Sequence, residues 1–197
     1  MASSTFGALS DFLPDDPENA RDIELMRLIA TGDETAMRDL VERHQARVIG
    51  TVTRMLGSDR EAEDVAQQVF VRIWRSAGRY QPNAKFTTWM FTIVRNLVFN
   101  HTRRYRGQIQ TELDEEMGDE HQKTPDEDVL EAEKQRAIQQ AIDALPEAQR
   151  LAVVLRRYDN VPYGEIARIM GQTVPGVKSL LFRARTSLRE SLRKYLE

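Results

Sequence analysis

Cysteine is absent from this 197-residue chain, which excludes disulfide scaffolds, thiolate zinc sites and cysteine nucleophiles together. Long apolar runs are missing too. The longest is Leu151-Ala-Val-Val-Leu155, against the roughly 20 residues that a membrane-spanning helix needs. The start, Met1-Ala-Ser-Ser-Thr-Phe6, lacks the basic-then-apolar order of a secretory signal, so a reducing, cytoplasmic setting without membrane insertion is expected. Ten glycines are scattered, with no GxxxxGK or GxGxxG spacing to cradle a phosphate. His44, His101 and His121 stand apart, without HExxH or HxxxH spacing. No metal, cofactor, small-molecule substrate or catalytic residue is therefore expected. Glu61, Glu63 and Asp64 resemble part of a two-metal nuclease site, but at a helix start such residues also simply oppose the dipole.

What the chain does have is charge, arranged in blocks. Residues 1–25 carry one basic and six acidic side chains, and residues 26–106 carry fourteen and eight. Residues 107–133 carry one and eleven, and residues 134–197 twelve and six. The net charge of -3 thus conceals two basic blocks with an acidic strap between them. Between Asp64 and Glu112 there is no carboxylate, only eight Arg or Lys side chains.

Hydrophobic spacing is helical throughout, and no strand pattern appears. Met37, Leu40, Val41, His44, Val48, Val52 and Met55 form one stripe, after a stop and cap at Thr31-Gly32-Asp33. His44, lying on that stripe, is expected to be a packed core residue. Ser58 with Glu61 reads as a capping box. The helix it opens places Ala62, Val65, Ala66, Val69, Phe70, Ile73 and Trp74 on one face. A turn-rich loop, Gly78–Lys85, leads to a helix marked by Phe86, Trp89, Met90, Ile93, Val94 and Leu97 and reaching about Tyr105. Residues 107–129 are too polar to offset their chain entropy. Helices resume with Ile138, Ala141, Ile142 and Leu145, then after Pro146, then across Pro162–Gly171. The last begins at Thr173 or Val174 and turns Val177, Leu181, Ala184, Leu188 and Leu192 inward. The expected architecture is all-α: a flexible acidic N-terminus (1–21), a helical domain (22–106), a flexible acidic linker (107–129) and a second helical domain (130–197).

A short helix ending at Gly171, then a helix rich in Lys and Arg, outlines a helix-turn-helix whose second helix fits a DNA major groove. Lys178, Ser179, Phe182, Arg183 and Arg185 lie outward on it; these residue types hold phosphates, donate to guanine or contact a thymine methyl. A solvated basic helix would look similar; the short glycine-ended helix before it favours DNA. In the first basic block, Arg95, Arg103, Arg104 and Arg106 suit phosphates, and Asn96 and Asn100, one turn apart, suit base edges. Asn100 and His101 suit helix-end hydrogen bonds equally. Trp89 and Phe91 are candidate stacking platforms, although Trp89 also belongs to the core stripe. Asp64, Gln67, Gln68, Arg72 and Arg75 make up a polar face that alone reads as ordinary solvated surface.

Taken in order, these segments resemble the extracytoplasmic-function (group 4) sigma factors of bacterial RNA polymerase, in the sigma-70 family. Asp59-Arg-Glu-Ala-Glu-Asp-Val-Ala-Gln-Gln-Val-Phe-Val-Arg-Ile-Trp74 resembles region 2.2, and Phe86-Thr-Thr-Trp-Met-Phe-Thr-Ile-Val-Arg-Asn96 resembles regions 2.3 and 2.4. Leu145-Pro-Glu-Ala-Gln-Arg150, Tyr163-Gly-Glu-Ile-Ala167 and Val177-Lys-Ser-Leu-Leu-Phe-Arg-Ala-Arg185 are similar to regions 4.1 and 4.2. The sequence departs from the family pattern at Gln68, Gly164, Pro175-Gly176 and Leu180.

The resemblance implies a non-enzymatic sigma factor. Its partners would be core RNA polymerase, promoter DNA and an anti-sigma factor. Core polymerase would meet Asp64, Gln67, Gln68 and Arg72. The minus-ten element would meet the Tyr80–Lys85 loop, with Asn83 within it, and Arg95, Asn96, Asn100, Arg103 and Arg104. The minus-thirty-five element would meet Lys178, Ser179, Phe182 and Arg183, with Arg156 on a phosphate. The acidic linker would thread the channel where RNA forms. Two rivals differ from this reading. A stand-alone helix-turn-helix regulator would bind duplex DNA without polymerase, and a nuclease built on Glu61–Asp64 would cleave with metal.

Overall fold

The computed structural model describes residues 16–109 and 127–195, and all regular structure among them is helical. The first module comprises α1 (Pro17–Ala30), α2 (Glu34–Leu56), α3 (Asp59–Ser76), a 3-10 turn (Ala77–Arg79) and α4 (Phe86–Ile109). The second comprises α5 (Glu127–Asp143), α6 (Glu147–Arg157), α7 (Tyr163–Met170), α8 (Val174–Ser191) and a closing 3-10 turn (Arg193–Tyr195). Residues 1–15 and 110–126, which hold most of the expected flexible N-terminus (1–21) and linker (107–129), lie outside the described residues, as does His121, but residues 17–21 belong to α1 and not to a flexible terminus.

Local chemistry sets the helix ends. Asp33 caps α2, its carboxylate accepting from the Thr35 and Ala36 amides at 2.9 and 3.0 Å. Gly57, at φ +74°, closes the helix in the left-handed conformation that glycine adopts without strain. Ser58 Oγ accepts from the Glu61 amide, which is the forward half of the expected capping box. Pro146 directly precedes α6 rather than standing within it.

One helix starts earlier than periodicity suggests. Alpha-1 begins at Pro17 with Asp16 as its cap, and it buries Asn19 and Asp22 as well as Leu25, Met26 and Ile29. Those two polar side chains hide the pattern from a sequence reading. Asn19 Oδ1 accepts from the Phe86 amide at 2.8 Å and so caps α4 from the far end of the module. Asp22 accepts from Arg43 Nε at 2.9 Å, and His44 Nε2 lies 3.0 Å from its other oxygen without hydrogen-bond geometry. His44 is buried, its ring 5.1 Å from that of Phe86, as expected of a core histidine.

The Lys85 ammonium adds a tie at the surface, 2.9 Å from Asp16, and holds that carboxyl below its ordinary range. A lowered carboxyl value keeps such a tie intact at neutral pH and loses it only in acid, as pH falls through the lowered value.

On α3 and α4 three residues depart from the expected stripes. Trp74 remains 38% exposed at the end of α3, while Thr88 and Phe91, both off the α4 stripe, are fully buried. Two neighbours bear on that side of α4: Thr88 donates to Glu165 of α7 at 2.8 Å, and the Arg47 guanidinium of α2 lies 5.0 Å from the Phe91 ring. Phe91 is therefore not a free stacking platform, and Trp89 is half-buried against the core. The middle of α6, Leu151 to Leu155, is buried throughout, because the helix packs against α2, α7 and α8. One continuous apolar cluster consequently runs through both modules.

Leu180 is also buried, so this departure from the family pattern is a core position and not a lost phosphate contact. Gly164, second in α7, has open space where a Cβ would project. Gly164→Ala is accordingly expected to raise stability by about 0.5–1 kcal/mol. An unchanged midpoint in urea denaturation would count against that.

Candidate nucleic-acid interface

Three exposed faces carry the residues singled out by sequence. The first is the polar side of α3. Asp64, Gln67, Gln68 and Arg72 are all exposed and line one shallow groove with Arg75. Val71 and Leu97 complete the groove, and Val71 is 48% exposed. Leu97 was expected on the α4 core stripe, and Val71 escaped the sequence reading because it sits one position off the α3 stripe. An exposed valine in a charged groove adds dehydratable surface to an otherwise ordinary face.

The second face joins the 77–85 loop to α4. Here the residues do not act alike. Tyr80 turns inward, its ring edge-on to Trp89 at 4.9 Å and to Phe86 at 6.2 Å. Burial, followed by the nearby Asp22 carboxylate, pushes its phenol up to about 12. It anchors the loop and does not present a free ring. Lys85 is engaged by Asp16. Asn83 stays exposed at the tip, its amide N–H donating to the Gln81 carbonyl at 2.8 Å. Further along α4, Asn96, Asn100, Arg103 and Arg104 are exposed. Arg95 donates to Asn96 Oδ1 from Nε at 3.1 Å and from Nη2 at 2.7 Å. That pairing leaves the Asn96 amide nitrogen as the freer end for an acceptor on a base. Arg95, Asn96, Asn100 and Arg103 also line a cleft whose opposite wall is Ala148, Met170 and Gln172 of the second module.

The third face is the outer side of α8. Gly171, at φ +63°, ends α7, and its amide donates to the Arg168 carbonyl at 3.2 Å. Three residues, Gly171 to Thr173, then separate α7 from α8, the turn length of a helix-turn-helix. Thr173 caps α8, its hydroxyl accepting from the Gly176 amide at 3.2 Å. Val177, Leu180, Leu181 and Ala184 pack inward, so Lys178, Ser179, Phe182 and Arg183 all emerge on the exposed side. Phe182 is 70% exposed, an unusual position for a phenyl ring with no partner surface. Arg156 lies in the last turn of α6, its guanidinium 5.3 Å from the Tyr163 ring and its Nη1 3.4 Å from the Val161 carbonyl oxygen.

The arrangement suits recognition of long, charged surfaces. Among the described residues no three His, Asp or Glu side chains come together as metal ligands, and no helix is long and apolar enough to cross a membrane. Glu63 and Asp64 are exposed on α3 while Glu61 serves the helix start.

The family model described as sigma-70 region 2 matches residues 40–108, and that described as sigma-70 region 4 matches residues 135–188. The RNA polymerase sigma-H factor of Pseudomonas aeruginosa is 32% identical over 185 residues, which is 89% of this chain and 96% of the relative. The ECF RNA polymerase sigma factor SigW of Bacillus subtilis is 31% identical over 179 residues, 85% of this chain and 95% of the relative. Among solved structures, CnrH in complex with the cytosolic domain of CnrY superposes with a TM-score of 0.64 at 21% identity, covering 88% of this chain and 98% of CnrH. The sigma factor RpoE in complex with the anti-sigma factor NepR from Bartonella quintana gives 0.63 at 21%, covering 79% and 96%. Both matched modules thus recur in the same order in proteins of similar length.

Proposed function

This chain belongs to the extracytoplasmic-function sigma factors of RNA polymerase, and from that premise we propose how its three exposed faces share the work of promoter recognition. The chain binds core polymerase and directs it to promoters. The α3 groove, with Asp64, Gln67, Gln68 and Arg72 around Val71, docks on core polymerase. Asn83 in the loop and Asn96, Asn100, Arg95, Arg103 and Arg104 on α4 take the minus-ten element, bases to the asparagines and phosphates to the arginines. Tyr80 and Lys85 serve that face by holding the loop in place. On α8, Lys178, Ser179, Phe182 and Arg183 read the minus-thirty-five duplex, and Arg156 holds a phosphate beside it.

One observation carries this division. Lys178, Ser179, Arg183 and a 70% exposed Phe182 share the outer side of α8, while Val177, Leu180, Leu181 and Ala184 are buried on the other. A phenyl ring in water is unfavourable, and a thymine methyl at the floor of the groove relieves that. An anti-sigma factor fits the same reading as a regulatory partner, since RpoE, which shares this fold, was solved with one. Acting with polymerase at promoters, the chain works in the cytoplasm on this reading. The chemical step of transcription stays with the polymerase.

The direct test is reconstitution: core polymerase with this chain should start transcripts at one defined position, and core polymerase alone should not. Charge reversal at two groove residues, Asp64→Arg with Arg72→Glu, is expected to weaken core binding by roughly tenfold or more, without unfolding. Both side chains are exposed, and among the described residues neither has an ion pair that the exchange would break. Unchanged affinity in a titration would remove the groove from the polymerase interface.

A further inference from the structure

An asparagine that meets a base can do so in two ways, because its amide has two ends of opposite character. The carbonyl oxygen accepts and the NH2 group donates, so the turn of the amide decides which base edge it reads. In an exposed side chain that choice is ordinarily open, since rotation about one bond exchanges the two ends. Asn96 is exposed, yet a neighbour makes the choice for it.

Arg95 Nε and Nη2 both donate to Asn96 Oδ1, at 3.1 and 2.7 Å. The shorter contact falls in the range of charge-assisted bonds. A guanidinium has donors only, so the atom it meets must be the carbonyl oxygen, and the two donors take up the two lone pairs that oxygen offers. Adjacent helical residues point about 100° apart, so this pair forms only because the long Arg stem curls across to its neighbour. Both bonds lie within α4 and need no other element. The remaining nitrogen, Nη1, steadies the half-buried guanidinium from its far side by donating to the Ile169 carbonyl at 2.6 Å. Three of the five guanidinium N–H groups are thus engaged, which leaves the charge and two N–H groups for a phosphate.

The pairing restricts what Asn96 can read. Asparagine recognises adenine by two bonds at once, its NH2 donating to N7 and its oxygen accepting from the N6 amino group. With the oxygen held by Arg95, the second bond is lost and the adenine amino group meets no acceptor. Guanine O6 and N7 and thymine O4 are acceptors and need only the NH2 end. We infer that Arg95 is a positioning residue for base recognition: it fixes Asn96 as a donor and so turns this contact away from adenine, toward a base whose edge offers acceptors, as guanine and thymine do. The inference rests on the assignment of Asn96 to a minus-ten base.

The test uses the full chain with core polymerase, on promoter templates carrying each of the four bases at each minus-ten position. Asn96→Ala locates the contact as the one position where preference relaxes. There the wild-type chain is expected to give more transcript from guanine or thymine than from adenine. Arg95→Met keeps the stem and removes every donor. It is expected to lower the yield from all templates and, at that position alone, to raise adenine relative to the wild-type base by about fivefold or more. A ratio between templates cancels any loss of folded protein. Arg95→Lys restores the charge without the two-pronged fork, so it should recover overall yield while the adenine ratio stays raised. Adenine favoured by the wild type, an unchanged ratio in Arg95→Met, or a ratio returned to the wild-type value by Arg95→Lys would each overturn the positioning role. If Asn96→Ala relaxes no position, the base assignment itself falls and the inference with it, a result distinct from a ratio that fails to move.

Discussion

Alanine in place of Phe86 is expected to destabilise the first module by about 3–5 kcal/mol, the range for a phenyl side chain removed from a packed core. The ring is fully buried. It contacts the rings of His44 at 5.1 Å, Trp89 at 5.9 Å and Tyr80 at 6.2 Å. Those neighbours belong to α2, to α4 and to the loop that carries Asn83, so a cavity here loosens all three at once. The backbone bond from Phe86 to Asn19 survives the substitution, which confines the loss to packing. Chemical denaturation should show a lower midpoint, and Phe86→Leu should recover most of the difference. A cost under about 1 kcal/mol would mean that the aromatic cluster collapses to fill the gap and does not organise the loop.

Arg183→Ala is expected to weaken binding of the correct minus-thirty-five sequence by the polymerase holoenzyme by about 1–3 kcal/mol and to relax preference at one or two positions. Arg156→Ala should instead weaken all sequences alike and reduce the salt slope by about one. The contrast follows from placement. Arg183 projects from the exposed side of α8, held only by a long contact from Nε to the Ser179 carbonyl at 3.4 Å, and it can reach into a groove. Arg156 projects from α6, with its guanidinium already resting near the Tyr163 ring, and its reach is shorter. Binding of promoter variants across a salt series separates the two. If Arg183→Ala weakens every sequence equally, that residue is an anchor and base readout lies with Lys178 and Ser179.

Much of this protein was legible along the chain. Helix stops and caps such as Asp33, Ser58, Gly171 and Thr173 act within three or four residues, so the sequence around each contains all the chemistry that decides it. The inward stripe of α8 and its exposed Lys178, Ser179, Phe182 and Arg183 follow likewise from a period of 3.6 residues per turn. Order, helical class, the two modules and the family pattern all rest on such local regularities.

What the tertiary structure alone decided depends on contacts between distant segments. Thr88 and Phe91 lie off the α4 stripe yet are buried, because Glu165 of α7 and Arg47 of α2 meet them on a side that periodicity leaves open. Tyr80, expected at a base-binding loop, turns into the aromatic cluster because Phe86 and Trp89 offer it apolar surface there. Asn19, in the expected flexible terminus, and Asp22 beside it are polar, but partners on α4 and α2 satisfy them and carry α1 into the core. Arg47 and Asp159 are separated by more than a hundred residues, and nothing near either one marks it as the other's partner. Periodicity records which side of a helix is apolar. It carries no information on which buried charge will meet its counterion, because that pairing exists only once the chain has brought the two helices together.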